Sequence, residues 1–328
     1  MIRFSRRIVV AVLVIVFVLT TGCARHKKIT VLKLGHVLDV NHPVHKAMEY
    51  MARVLSEESK GTMRMDIYPS GQLGSERDLI ELLQIGSLAM TKVSASPMES
   101  FVPEMKIFSL PYVFRDHRHL WKVLNGPIGK KLLLAGLRYR LRGLCYYDSG
   151  SRSFYTKKVP IYTPDDLKGL KIRVMKSQTA VQMVEALGGS ATPIAWGELY
   201  TALQQGVVDG AENNPPSFYL SKHYEVCKYY SLDEHTSIPD ILLISEPIWQ
   251  RLTEQQRRWL QKAADASVRY EITLWEKATE HALLAVQKAG VKIIHPDKRL
   301  FREKVKGMYA RYKGTKVYDL LQEIEQIH

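Results

Sequence analysis

The chain has 328 residues, of which 46% are hydrophobic and 24% are charged. This composition excludes an intrinsically disordered protein, and the length suits two folded lobes. The formal net charge is +14, but Lys and Arg are spread along the whole chain without a nucleic-acid-binding motif, so we predict no nucleic acid partner. Two explanations of the charge stay open: attraction of an anionic ligand or an acidic envelope, and a solubility bias without a specific partner.

The N-terminus has the layout of a secretory leader. Three arginines precede an apolar run over residues 8–19, and small residues lead to Cys23. The run is too short for a confident membrane span, so we predict that residues 1–22 are a signal peptide. The Gly-Cys junction resembles that of bacterial lipoproteins, although Thr20 replaces the usual leucine. We therefore predict a lipid anchor at Cys23, with ordinary cleavage or an uncleaved anchor as alternatives, and an extracytoplasmic folded part in each case.

Strand patterns and amphipathic helix patterns alternate along the chain, which indicates an α/β fold. The predicted elements of the first half are a strand at 29–36, a helix from Pro43, a strand at Met63–Tyr68 and a helix opened by Ser75 and Asp78. Those of the second half are a short capped helix at 163–167, strands at Lys171–Met175 and Ile241–Ser245, and a helix from Glu254 to about Ala289. The last helix would be about 54 Å long and could span two lobes, with a kinked helix as the alternative.

No catalytic constellation is evident in the sequence. It lacks a GxSxG elbow, a phosphate loop, a dinucleotide fingerprint and an HExxH motif. Two histidine pairs lack a cysteine or carboxylate at zinc-ligand spacing. We therefore predict a protein without enzyme activity, metal or cofactor. Besides Cys23, only Cys145 and Cys227 are present, and we predict two buried thiols, with a single disulfide as the alternative.

Two arginines are distinguished by their surroundings. Ile172 and Val174 share one face of a predicted strand, so Arg173 must point to the other face. Arg152 lies in a stretch of small residues that enters another strand. A guanidinium offers a planar fork of donors that matches a carboxylate at two points. Each arginine is therefore a candidate carboxylate ligand, and the alternative for each is an ion pair within the protein.

Three separated motifs resemble the solute-binding proteins of tripartite ATP-independent periplasmic (TRAP) transporters, the DctP-like family. They are Pro69–Gly74 (PSGQLG), Asp165–Val174 (DDLKGLKIRV) and Val207–Asn213 (VVDGAEN), and the similarity runs from about Val31 to the end of the long helix. The resemblance implies an α/β, two-lobed, type II-like periplasmic binding protein fold with a hinge cleft and a long C-terminal helix that spans both lobes. We assign residues 28–149 and 239–278 to lobe I, and 150–238 and 279–328 to lobe II.

The resemblance also implies which residues bind the ligand. Arg173 matches the family's principal carboxylate-binding arginine, Arg152 a second arginine near that carboxylate, and Asn213 the amide that orients it. The other matching positions are an aromatic contact at Trp196, polar contacts at Glu76 and Ser94, and loop positions at His42 and Asp240. Core packing at Trp196, a first-turn helix charge at Glu76 and a capping role for Asp240 are the alternatives.

The chain departs from the common family pattern after Asn213, where Asn214 precedes two prolines. Two asparagines, with Glu76 and Asp240, offer hydrogen-bond partners for hydroxyl groups, and no second fixed cation for a distant carboxylate is evident. We therefore predict a sugar acid such as glucuronate or galacturonate as the ligand, with a C4-dicarboxylate as the alternative.

The predicted protein is a monomeric solute receptor that captures a carboxylate, closes its cleft and docks on the membrane subunits of a TRAP transporter. A ligand sensor for a membrane kinase and a secreted sugar-acid enzyme are the alternative functions.

Overall fold

The computed structural model describes residues 29–327, so the predicted signal peptide and Cys23 lie outside the described residues. Within that range, no helix combines the length and the apolar character that a membrane crossing requires. The described residues form eleven strands in two sheets. The strands are β1 (Thr30–Gly35), β2 (Met63–Tyr68), β3 (Met90–Ser94), β4 (Leu141–Tyr147), β5 (Arg152–Thr156), β6 (Lys171–Val174), β7 (Ser190–Pro193), β8 (Gly210–Asn213), β9 (Tyr229–Thr236), β10 (Asp240–Ser245) and β11 (Lys292–Ile294).

Helices cover both sheets. They are α1 (Pro43–Glu58), α2 (Glu76–Ile85), α3 (Ala95–Met98), α4 (Lys106–Ser109), α5 (His117–Asn125), α6 (Pro127–Leu134), α7 (Gln178–Ala186), α8 (Leu199–Gln205), α9 (Pro215–Leu220), α10 (His223–Val226), α11 (Glu246–Arg251), α12 (Glu254–Lys288), α13 (Lys298–Val305) and α14 (Lys316–Glu325). Short 3-10 turns lie at Pro103–Met105, Leu137–Tyr139, Pro164–Leu167, Trp196–Glu198 and Lys306–Tyr312. The predicted α/β class and the predicted strands and helices are confirmed, with boundaries that agree within one residue at most ends.

Each sheet contains both parallel and antiparallel strands, and the chain crosses between the two sheets at two connections. The first sheet has the order β2-β1-β3-β10-β4, and the second has the order β11-β9-β5-β8-β6-β7. Most strands of each sheet are parallel to a neighbour, but β10 pairs antiparallel with β3 and β4, and β5 pairs antiparallel with β8 and β9. The chain passes from one sheet to the other between β4 and β5 and returns between β9 and β10. The two-lobed fold inferred from the resemblance is therefore confirmed.

The long helix α12 links the lobes a third time. Thr253 caps it with a reciprocal capping box, and its 35 residues run without interruption for about 52 Å. Leu260 and Ala263 in its first half pack into the apolar core beside the first sheet. Val286 near its end packs into a core of the second sheet. The helix therefore spans both lobes, as predicted.

The first crossover is held against α12. The backbone N–H of Asp148 donates to Glu271 Oε2 at 2.9 Å. Gly150 adopts a φ of +55°, and a Cβ there would lie 3.1 Å from the indole nitrogen of Trp275. Glycine suits this position because it tolerates both the left-handed backbone and the close approach of the helix.

The C-terminal segment returns to the first lobe. Val305 in α13 packs with the second sheet's core, but Leu320 and Ile324 in α14 pack among the apolar side chains of the first lobe. This packing differs from the expectation that residues 279–328 all belong to lobe II, because the apolar face of α14 is covered by first-lobe residues. The other boundaries of the lobe assignment stay a prediction. Cys145 and Cys227 are buried free thiols, as predicted.

Candidate functional site

A cavity lies between the two sheets, with about 710 Å³ of space not filled by protein atoms. This space includes the part of the cleft that is open to solvent. Strand ends supply much of its wall: Ser94 at the end of β3 pairs with Asp240 at the start of β10, and Asn213 ends β8 beside the start of β5. All eight predicted ligand-binding residues line the cavity, namely His42, Glu76, Ser94, Arg152, Arg173, Trp196, Asn213 and Asp240. Their contacts with a ligand stay a prediction.

Arg173 brings an incompletely satisfied guanidinium to this cavity. The residue is 2% exposed, and its Nε donates to the Ile194 carbonyl at 2.9 Å. Its Nη1 is buried without a hydrogen-bond partner, and no carboxylate of the described residues forms an ion pair with it. Burial lowers the pKa of Arg173, an effect that the nearby Tyr155 opposes. An unpartnered buried donor on a cation is energetically costly, so this arrangement favours an anionic ligand.

Arg152, in contrast, is engaged by the protein. Its Nη2 donates to Glu212 Oε1 at 3.0 Å, and its Nε donates to the other oxygen of the same carboxylate. Its Nη1 donates to Asn213 Oδ1 at 2.7 Å. Burial would lower the pKa of Arg152, but the ion pair with Glu212 outweighs burial and raises it. The alternative stated for this arginine, an ion pair within the protein, is therefore present, although Arg152 also lines the cavity.

A buried network continues behind Arg152. His235 Nδ1 lies 2.8 Å from Asp233 Oδ2, and its Nε2 lies 3.5 Å from Glu212 Oε2. Burial opposes the charged imidazole, but the two carboxylates outweigh it and raise the pKa of His235 to about 9. Burial likewise opposes the Glu212 carboxylate, but Arg152 and His235 lower its pKa to about 2. Cationic and acidic side chains thus alternate from Arg152 through Glu212 and His235 to Asp233, behind the cavity wall.

The two adjacent asparagines have different environments. Asn213 Oδ1 accepts from Arg152 and from the backbone N–H of Asn214, whereas its Nδ2 has no hydrogen-bond partner among the described residues. Asn214 caps α9, because its Oδ1 accepts from the Ser217 backbone N–H at 2.9 Å, and its Nδ2 donates to Ser149 Oγ. Asn213 therefore keeps an amide donor for a ligand, while the Asn214 side chain serves the fold.

The first-lobe wall contains a buried cation that the sequence interpretation missed. Lys92 on β3 is 2% exposed, and its Nζ lies 2.9 Å from Asp240 Oδ2 and 3.5 Å from Glu76 Oε1. Glu76 Oε1 also accepts from the Ser94 backbone N–H at 3.0 Å. Burial would lower the pKa of Lys92, but its two carboxylate partners outweigh burial and raise it. The sequence interpretation, which found no second fixed cation for a distant carboxylate, did not identify Lys92, and the structure shows this cation paired with two carboxylates of the protein.

Lys92 had a recognisable signal in the sequence. It is the one charged residue of the buried strand Met90–Ser94, where an unpaired lysine would be too costly to bury. Glu212 was visible only as part of the motif Val207–Asn213, and nothing local marked His235 as its neighbour.

His42 and Trp196 complete the wall from opposite lobes. Burial and the charge of Lys92 lower the pKa of His42 to about 3, so its ring is neutral. Its Nδ1 accepts from the Val44 backbone N–H, and its Nε2 lies 3.4 Å from Ser217 Oγ in the other lobe. The half-buried Trp196 places its ring centre 5.9 Å from the Arg173 guanidinium carbon. The cavity is therefore enclosed by side chains from both lobes.

Comparison with known proteins agrees with this geometry. The chain is 38% identical to the TRAP periplasmic solute-binding protein of Xanthobacter autotrophicus Py2, solved with bound β-D-galacturonate, with a TM-score of 0.88 over 90% of this chain and 100% of the other. It is 34% identical to the TRAP protein of Chromohalobacter salexigens, solved with bound D-glucuronate, with a TM-score of 0.88 over 90% of this chain and 100% of the other.

Two further comparisons concern sequence. An uncharacterised protein of Salmonella typhimurium LT2, YiiZ, is 40% identical over 299 residues, which are 90% of this chain and 91% of the relative. The profile of the bacterial extracellular solute-binding proteins of family 7, DctP, matches residues 34–315. The chain therefore belongs to the DctP family, the solute-binding proteins of TRAP transporters.

Proposed function

We propose that this chain is the extracytoplasmic receptor of a TRAP transporter for a hexuronate such as galacturonate or glucuronate. The observation that carries the proposal is Arg173, a buried arginine in the interlobe cavity with a guanidinium nitrogen that no described residue satisfies. Two similar solved structures contain galacturonate and glucuronate, which supports a uronate as the anion. Receptors rather than enzymes make up the family and the structural neighbours.

The proposed binding mode divides the ligand between the lobes. The Arg173 guanidinium pairs with the ligand carboxylate, and the free Nδ2 of Asn213 donates to the same group. Arg152 positions Asn213 through its hydrogen bond to Oδ1. Trp196 covers the ring of the ligand. Glu76, Asp240 and Ser94 on the first lobe accept hydrogen bonds from the hydroxyl groups.

Closure of the cleft completes the binding mode. The lobes are joined by two crossovers and α12, an arrangement that permits hinge motion about the crossovers. Ligand contacts with both walls stabilise the closed state, because only that state presents both walls at once. The closed monomer then docks on the membrane subunits of the transporter, and the lipid at Cys23 keeps the receptor at the membrane.

A ligand screen tests the proposal. The chain without residues 1–22 is heated with galacturonate, glucuronate, succinate, a keto acid or galactose, and Kd is then measured by calorimetry for each compound that raises the melting temperature. A ligand that binds only the folded state stabilises it by about 2.7 kcal/mol at a hundred times its Kd. We expect the hexuronates to stabilise the protein and galactose, which lacks the carboxylate, to have no effect. Stabilisation by succinate alone, or by galactose, would contradict the proposal.

A further inference from the structure

Three buried cations line the cavity, but only one lacks a carboxylate partner among the described residues. Arg152 is paired at two points with Glu212, and Lys92 lies between Asp240 and Glu76. Arg173 alone keeps a free guanidinium nitrogen. Among the buried cations of the described cavity wall, Arg173 is therefore the one at which a ligand carboxylate meets an uncompensated positive charge. Lys176 and Arg77 also line the cavity, but both are exposed to solvent, which screens their charge.

The wall around Lys92 is the place where a second carboxylate would otherwise bind. Glu76 on the first lobe and Arg173 on the second both line the cavity, so their two walls face each other. Lys92 meets two carboxylates, which leaves this wall with a formal charge of −1 when all three groups are ionised. Burial raises the pKa of Glu76 while Lys92 opposes the rise, and protonation of Glu76 would only bring the wall to neutrality. In neither state do Lys92, Glu76 and Asp240 together carry a net positive charge.

We propose that Glu76 and Asp240, by engaging Lys92 in a closed ion-pair triad, restrict the receptor to ligands with one carboxylate and reject diacids of the same length. The inference rests on the proposed capture of a carboxylate by Arg173. Carboxylate oxygens and the Lys92 ammonium still bind hydroxyl groups, because they accept and donate hydrogen bonds. A second carboxylate at this wall would be repelled by Asp240 and would have to compete with it for Lys92.

Single substitutions in the triad change its charge while keeping Lys92 paired. In Glu76→Gln, Lys92 retains Asp240 at 2.9 Å, and in Asp240→Asn it retains Glu76 at 3.5 Å. Each variant removes one negative charge from the wall. Glu280→Gln, at an exposed position of α12, removes the same charge from the surface and is the matched control.

The experiment measures Kd by calorimetry for matched acid pairs, with the chain lacking residues 1–22. The pairs are gluconate with glucarate, galacturonate with galactarate, and butyrate with succinate. In the parent protein we expect each monoacid that binds to be preferred over its diacid by about thirtyfold or more. In each triad variant, the ratio of the diacid Kd to the monoacid Kd should fall about tenfold, mainly because the diacid binds more tightly. The control variant should keep the ratio of the parent protein.

The outcomes separate this inference from the proposed function. A parent protein that binds a diacid as tightly as its monoacid, or triad variants that fold and keep the parent ratio, would overturn the inference while the uronate proposal stands. If gluconate or butyrate binds more tightly than its diacid but no uronate binds, the uronate proposal is overturned. The preference for the monoacid over its diacid would then still support the inference. Absence of binding by every monoacid would overturn both. If one variant fails to fold, the other gives the same measurement.

Discussion

Arg152 and Glu212 lie on adjacent antiparallel strands and form a two-point ion pair beneath the cavity, with Nη2 and Oε1 3.0 Å apart. The pair leaves Arg152 with little free charge but with a fixed side chain, and Asn213 is held by the same guanidinium at 2.7 Å. The uncompensated buried charge therefore belongs to Arg173. We propose that Arg173 binds the ligand carboxylate while Arg152 positions Asn213.

The first prediction concerns the role of Glu212 in stability. Glu212→Gln should lower the free energy of unfolding by about 3–5 kcal/mol, because it leaves the Arg152 and His235 cations without their shared anion in a buried environment. Urea unfolding at neutral pH measures the change, with Glu280→Gln as the surface control. Hexuronate affinity of the folded variant should not fall, since removal of the anion exposes the charge of Arg152. Unchanged stability would show that the network is dispensable.

The second prediction separates a ligand-binding arginine from a structural one. Arg173→Ala should weaken carboxylate binding by about 2–5 kcal/mol, on the order of thirtyfold or more in Kd. Arg173→Lys should weaken binding by a smaller amount, because lysine keeps the positive charge but lacks the planar fork of donors. The ligand-free protein should lose little stability, because Arg173 has no internal ion pair among the described residues. Calorimetric Kd values and urea unfolding of the same variants measure the two effects. Loss of stability with unchanged affinity would assign Arg173 to the fold.

Local patterns explain why much of this fold was predictable. The alternation around Arg173 fixed both the strand β6 and the direction of the side chain, because side chains of a strand alternate between its faces. The Thr253 capping box and the absence of glycine and proline up to residue 289 gave α12 its bounds. These elements depend on residues that are close together in the sequence.

The parts that were missed depend on distant pairing. Lys92 meets Asp240 only because β10 adds antiparallel to β3, and the two residues are 148 positions apart. The return of α14 to the first lobe likewise depends on which apolar surface is left uncovered once both lobes have formed. Glu212 and His235 meet because β8 and β9 both flank β5. No local spacing encodes these contacts.

The third prediction uses the neighbouring asparagines as a matched pair. Asn213→Ala should lower carboxylate affinity about tenfold or more, because it removes a free amide donor and an acceptor that positions Arg152. Asn214→Ala should instead cost about 1 kcal/mol of stability through loss of the α9 cap, with a smaller effect on affinity. Urea unfolding and calorimetric Kd values of both variants test whether Asn213 serves the ligand and Asn214 serves the fold. Equal losses of affinity would contradict this division of roles.

The fourth prediction follows from the pKa of His235, which its carboxylate neighbours raise from 6.5 to about 9 in the folded protein despite burial. Protonated His235 therefore stabilises the fold fully below pH 6.5, and this contribution, about 3 kcal/mol, is lost as the pH rises through 9. His235→Gln removes the titrating group but keeps a polar side chain. The difference in unfolding free energy between the parent and this variant should shrink steadily between pH 6.5 and 9.5.

Other groups titrate in the same range, so the comparison with the variant is what isolates His235. Tyrosines and lysines contribute equally to both proteins and cancel in the difference, whereas the ion pairs of His235 with Asp233 and Glu212 exist only in the parent. A difference that stays constant across the range would mean that His235 is neutral in the folded protein. In that case Glu212 would neutralise Arg152 alone, and the buried network behind Arg152 would contain one cation instead of two.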